Sequence, residues 1–84
     1  MLLFSENIDK FIGQTVKAKI FHKIYGDQEA IICCFQPLTA KDKVGFVANN
    51  HEVFVYIDEI ENITADKNLI KIVGSLQTII IEKI

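Results

Sequence analysis

The side chains best placed to do chemistry in this 84-residue chain are Lys17, Lys19, Phe21 and Lys23. They alternate with Val16, Ala18, Ile20, His22 and Ile24. A strand here puts the lysines and the phenylalanine on one face and the other set inward. A row of ammonium groups with a ring among them can follow a phosphate backbone while the ring stacks on a base. The same row also describes a solvated strand face whose lysines guard an edge against aggregation. Two facts favour the solvated face. The formal net charge of −2 gives no general attraction to polyanions. All nine basic residues are lysine, so the chain lacks the planar guanidinium fork that grips phosphate and guanine at two points.

Cys33 and Cys34 are the two cysteines. Neighbours in a strand point to opposite faces, so they do not bridge each other, and no disulfide framework is expected. A reducing compartment, the cytoplasm, is the expected location. With Gly26-Asp27 as a two-residue turn, Ile20 lies opposite Cys33, Lys19 opposite Cys34 and Phe21 opposite Ile32. That register makes His22 and Cys33 diagonal neighbours on the inner face, and a thiol beside an imidazole can become a nucleophile. No orienting acid or oxyanion donor accompanies them, so a buried small hydrophobe and a satisfied histidine are the expected roles. Cys34 beside Lys19 is the more reactive thiol. The register also gathers Phe21, Ile32 and Cys34 into an apolar patch ringed by lysines, the mark of a protein interface or self-association surface. The candidate binding surface is therefore Lys17, Lys19, Phe21, Lys23, Ile32 and Cys34.

Other groups carry less. His22, His51, Cys33 and Cys34 show no metal-ligand spacing. Asp58, Glu59 and Glu61 read as a solvated turn rather than paired catalytic carboxylates. The four glycines are scattered and form no phosphate loop. No catalytic residue, metal or cofactor is expected.

The elements that position these residues are short strands. Three turn signals, Gly26-Asp27, Asn49-Asn50 and Gly74-Ser75, lie between runs rich in Ile, Val, Phe and Tyr. Before them, Ser5 suits a helix N-cap and Gly13 a helix end. Glu6–Ile12 reads as a helix with Ile8, Phe11 and Ile12 on one face and Glu6 near its positive end. The first strand runs from Gln14 to Ile24. The returning strand, Glu29–Gln36, is apolar on both faces over Ile31–Phe35, which predicts a central or covered strand. Pro37 ends it, and Leu38–Asp42 is a loop. The second hairpin pairs Lys43–Ala48 with His51–Ile57, placing Phe46 opposite Val53, Val44 opposite Val55 and Gly45 opposite Phe54. Ile57, Ile60 and Ile63, spaced by three, predict a single helical turn. Asp66-Lys67-Asn68 is a turn, and Leu69–Val73 and Gln77–Ile84 form the last hairpin. Ile79, Ile80 and Ile81 put apolar groups on both faces of that final strand. Pairing with another subunit, or cover by the N-terminal helix, would shelter them.

The opening Met1-Leu2-Leu3-Phe4 stops at Ser5-Glu6 and has no basic leader, so no signal peptide is expected. No apolar run reaches membrane-spanning length. The chain reads as one all-β domain over residues 1–84 with one short N-terminal helix. Its architecture is a strongly bent antiparallel sheet or a partly closed barrel of five to six strands.

A short helix feeding a bent sheet, then Ile57-Asp58-Glu59-Ile60-Glu61-Asn62-Ile63, then two strands around Ile72-Val73-Gly74, resembles the small Sm-like and SH3-like barrels of Gram-positive bacteria and their phages. The resemblance implies the fold and, for true Sm proteins, uridine binding through an Arg-Gly pair in the late turn. Here Val73 precedes Gly74, and the Asp-x-apolar-Asn element is missing, so the resemblance implies the barrel without the uridine pocket. The expected function is a non-enzymatic binding module acting through self-association or a protein partner. RNA binding by the lysine and aromatic strand face is the alternative.

Overall fold

The computed structural model describes residues 2–48 and 50–84. Helix α1 spans Leu2–Ile8, and a 3-10 turn over Asp9–Phe11 continues it. The helix thus starts four residues before the expected Glu6. Ser5 lies inside it rather than capping it, and its first turn holds no acidic residue. The apolar stripe explains the shift. Phe4, Ile8 and Phe11 follow helical spacing and are wholly or almost wholly buried, whereas Ile12, expected on that face, is 50% exposed. Gly13 closes the segment as expected. Its N–H donates to the Phe35 carbonyl, and the Phe35 N–H donates to Gln14.

Strands β1 (Val16–His22) and β2 (Gly26–Ile32) form the first hairpin. The expected register is overturned here. Lys23, Ile24 and Tyr25 form a three-residue turn, and Gly26 pairs with His22 instead of sitting in the turn. Gly26 has φ +84, the left-handed value that completes a three-residue hairpin connection. Ile20 consequently faces Gln28, five positions from Cys33. Ile24, expected inward, is 70% exposed in the turn. β2 is not a covered central strand either. It is an edge, and all of it except half-buried Ile32 is exposed.

Cys33–Phe35 turns the corner into β3 (Gln36–Thr39), so the segment expected as a loop begins with a strand. Pro37 sits within β3 rather than ending β2, at an edge where a missing donor is tolerated. β4 (Lys43–Ala48) and β5 (His51–Tyr56) pair as expected, with Phe46 on Val53, Val44 on Val55 and Gly45 on Phe54. Of the connecting Asn49-Asn50 turn, Asn49 lies outside the described residues, and Asn50 has φ 65. Gly45 is required by close approach, since a Cβ there would lie 1.9 Å from the Val53 carbonyl oxygen.

The expected helical turn is present over Ile57–Glu59. It leads directly into β6 (Ile60–Ala65), a strand that the three-residue spacing concealed. At the Asp66–Asn68 turn the Asn68 N–H donates to Asp66 Oδ1 at 2.8 Å. β7 (Leu69–Gly74) and β8 (Gln77–Lys83) follow, joined by Ser75-Leu76, one position beyond the expected Gly74-Ser75 turn.

The strands form two antiparallel sheets, ordered β2-β1-β8-β7-β6 and β3-β4-β5. The fold is all-β with one short helix, a partly closed arrangement with two strands, β3 and β6, beyond the six expected. β8 is interior to its sheet, flanked by β1 and β7. It therefore needs no second subunit, which corrects the expectation of edge pairing there. Ile79 and Ile81 enter the core completely, and Ile80 on the outer face is half-buried. One contiguous core joins Phe4, Ile8 and Phe11 from the helical segment to Val16, Ile70, Ile72 and Phe46 from the two sheets.

Candidate binding seam between the two sheets

The six sequence-selected residues fall in four separate places. Lys17, Lys19 and Phe21 alternate along the outer face of β1, and Lys23 lies in the turn beyond it. Their cross-strand neighbours are mixed in charge. Lys17 faces Ile31 and Glu82, Lys19 faces Glu29 and Ile80, and Phe21 faces Asp27 and Thr78. Lys17 forms an ion pair with Glu29 at 3.4 Å. Ile32 instead pairs with Val16 on the inner face and packs against the core. Cys34 lies past the end of β2, at the corner, with Glu29 in its expected place beside Lys19. The Phe21–Ile32–Cys34 patch therefore does not form. A register change of five positions is odd, and an odd change sends side chains to the opposite face.

The His22–Cys33 pair is undone by the same change. His22 stands at the turn end of β2, opposite Gly26, and Cys33 follows the far end. Six residue steps of strand separate Gly26 from Ile32, roughly 20 Å. His22 Nδ1 accepts the N–H groups of Ile24 at 3.0 Å and Tyr25 at 3.2 Å, so it braces the turn. Both thiols are free and exposed, not buried. His51 is exposed at the start of β5. Among the described residues, no group of three His, Cys, Asp or Glu side chains is arranged to hold a metal ion.

The feature that sequence reasoning missed is the opening where the sheets fail to close. The inner face of β2 looks across at β4 and β5 over three cavities, with Ile32 at its end packed on the core. The first, about 400 Å³, is lined by His22, Tyr25, Phe54, Tyr56 and Leu76, with Glu52 and Glu59 among them. The second, about 160 Å³, shares Ile20, Gln28 and Val53 with the first. The third, about 440 Å³, shares Ala30 and Ala48 with the second and reaches Cys33 and Cys34. Shared walls make them one seam running the length of β2.

The mouth at the Tyr25 end is aromatic and acidic. Tyr25 is 78% exposed, Tyr56 45% and Leu76 43%. His22 and Tyr25 lie ring to ring at 4.7 Å, and Phe54 meets Tyr56 edge-on at 5.1 Å. The Gln77 side-chain amide donates to the Phe54 carbonyl at 2.6 Å and pins the two sheets together there. Lys43 Nζ donates to Glu52 Oε1 at 3.1 Å and lies 4.3 Å from the Phe54 ring centre. The hydrogen bond to Glu52 holds the Lys43 ammonium above its ordinary pKa. The charges of Glu52 and Asp42 add to this, and partial loss of water opposes it. The arrangement offers ring faces and carboxylates to a ligand and no activated nucleophile.

Lone aromatics at the end of a strand and inside a misread turn carry no periodic signal. The one available clue was that Tyr25 and Tyr56 have polar ends, which suit exposed, amphipathic contact. Comparison of the chain with protein-family models, curated proteins and solved structures finds no match.

Proposed function

We propose that this protein is a non-enzymatic binding module that takes a segment of a protein partner into the seam between β2 and the β4–β5 hairpin. The observation that supports the reading is the aromatic mouth of that seam, where Tyr25, Tyr56 and Leu76 leave apolar surface in water around a concave site. Exposed rings around a concave site are what recognition surfaces use. Two exposed free thiols suit the cytoplasm as its compartment. No helix of the described residues is long and apolar enough to cross a membrane. The likeness to Sm-like and SH3-like barrels enters this reading as an outline of the fold alone.

Nucleic-acid binding through Lys17, Lys19 and Phe21 is the second reading, favoured by their alternation on one outer face. Asp27, Glu29 and Glu82 interleave with them and weaken the field a phosphate chain would feel. The test pans a random peptide library against the chain and against its Tyr25→Ala/Tyr56→Ala variant. Peptides that bind the first at least tenfold more tightly than the second support the seam. Equal binding by both, or a salt-sensitive RNA gel shift abolished by Lys17→Glu with Lys19→Glu, would replace it.

A further inference from the structure

We infer that the occupant of the seam is an extended basic segment, added as a strand along the free edge of β2 with a lysine or arginine side chain in the aromatic mouth. This rests on the seam being the binding site and specifies the chemistry of the partner. The backbone argument comes first. Among the described residues β2 is paired only by β1, so alternate N–H and C=O groups of Gly26–Ile32 point away from the sheet. The cavities follow that edge from Gly26 to Ile32. An added strand of matching length satisfies those groups and fills the adjacent space.

Charge selects the kind of segment. β2 carries Asp27 and Glu29 and no cation, and the mouth contributes Glu52 and Glu59. Lys17 answers Glu29, and Lys43 answers Glu52. The carboxylates of Asp27 and Glu59 form no salt bridge among the described residues. A cationic side chain entering the mouth gains the Glu59 carboxylate and the ring faces of Tyr25 and Tyr56. A second copy of this chain is a poorer occupant. Antiparallel pairing of β2 with itself sets acidic strands side by side, and like charges across a ladder repel. A polyanion meets the same carboxylates.

The test is a heptapeptide display library panned against the whole chain, followed by nitrogen-15 NMR titration with the synthetic winners. Lysine or arginine is expected to be enriched at one position, with amide shifts along residues 26–32 and at Tyr56. Replacing that basic residue by norleucine should weaken binding at least tenfold, as should Glu59→Gln. N-methylation of alternate peptide amides should weaken it by a similar factor, because a methylated amide cannot donate to an edge. Winners that shift Tyr25 and Tyr56 yet tolerate these changes would leave the binding module standing and overturn the basic added strand. Winners enriched in Asp or Glu would do the same. A library that yields no peptide directed to the seam removes both readings, and self-association through β2 in sedimentation would assign the edge to a second copy.

Discussion

β2 and β8 both pair with β1, one on each side, and each contributes seven residues. Yet Ile79 and Ile81 of β8 have no exposure, while β2 is exposed along nearly its whole length. Pairing with β1 does not explain the difference, since each strand is in register with it over all seven positions, although β8 also pairs with β7. The inward rows do. β8 sends Ile79 and Ile81 toward the core beside Ile20 and Ala18, whereas the inward row of β2 is Gly26, Gln28 and Ala30 before one isoleucine, Ile32. Burying one isoleucine contributes about 1.5–3 kcal/mol. The row on β2 gives the second sheet too little apolar area to close upon. The seam stays open where three inward positions carry no large apolar side chain.

That contrast can be broken most forcefully by truncation. Ile79→Ala should destabilise the fold by about 2–5 kcal/mol through the lost burial and the cavity left behind. The same truncation on the other flank, Ile31→Ala, should change stability by no more than about 0.5 kcal/mol, since that side chain is already half in water. Urea melts of the two variants compare them directly, and equal losses would mean that β2 is as integral as β8. A gain is expected from filling the seam. Ala30→Val faces Phe46 and Val53 across the middle cavity and should stabilise by about 0.5–2 kcal/mol. It should also weaken peptides selected for the seam, and stabilisation without loss of binding would separate the cavity from the site.

The smallest effect concerns Lys43. Its folded pKa lies above the ordinary lysine value, so its pairing with Glu52 supports the fold below that value and loses this support as pH rises through the folded pKa. Glu52→Gln should return the Lys43 titration toward the ordinary range in NMR, with a change in the neutral-pH melt too small to resolve. An unchanged titration would show that Glu52 is free for a ligand.

The second hairpin was fully legible because Asn49-Asn50 sits between strands with clean alternation, which leaves one register. The first hairpin was not. Lys23-Ile24-Tyr25 continues the strand's composition and points to a turn at Gly26, whereas that glycine is the left-handed residue that rejoins the ladder. One misplaced turn then carried Ile32, Cys33 and Cys34 to the wrong neighbours. β6 was hidden because Ile57, Ile60 and Ile63 keep a helical spacing while only the first three residues of that segment turn. The seam was invisible for a different reason. It exists between β2 and β5, whose separation depends on tertiary closure, and no local pattern encodes a gap.

Pro37 gives the molecule a polarity as a building unit. It occupies β3, a four-residue strand at the margin of the smaller sheet, and removes one of that strand's few donors. A neighbour zipping along β3 would meet an interruption almost at once. A strand added at that margin finds an interrupted template, one of the devices by which sheets limit edge-to-edge growth.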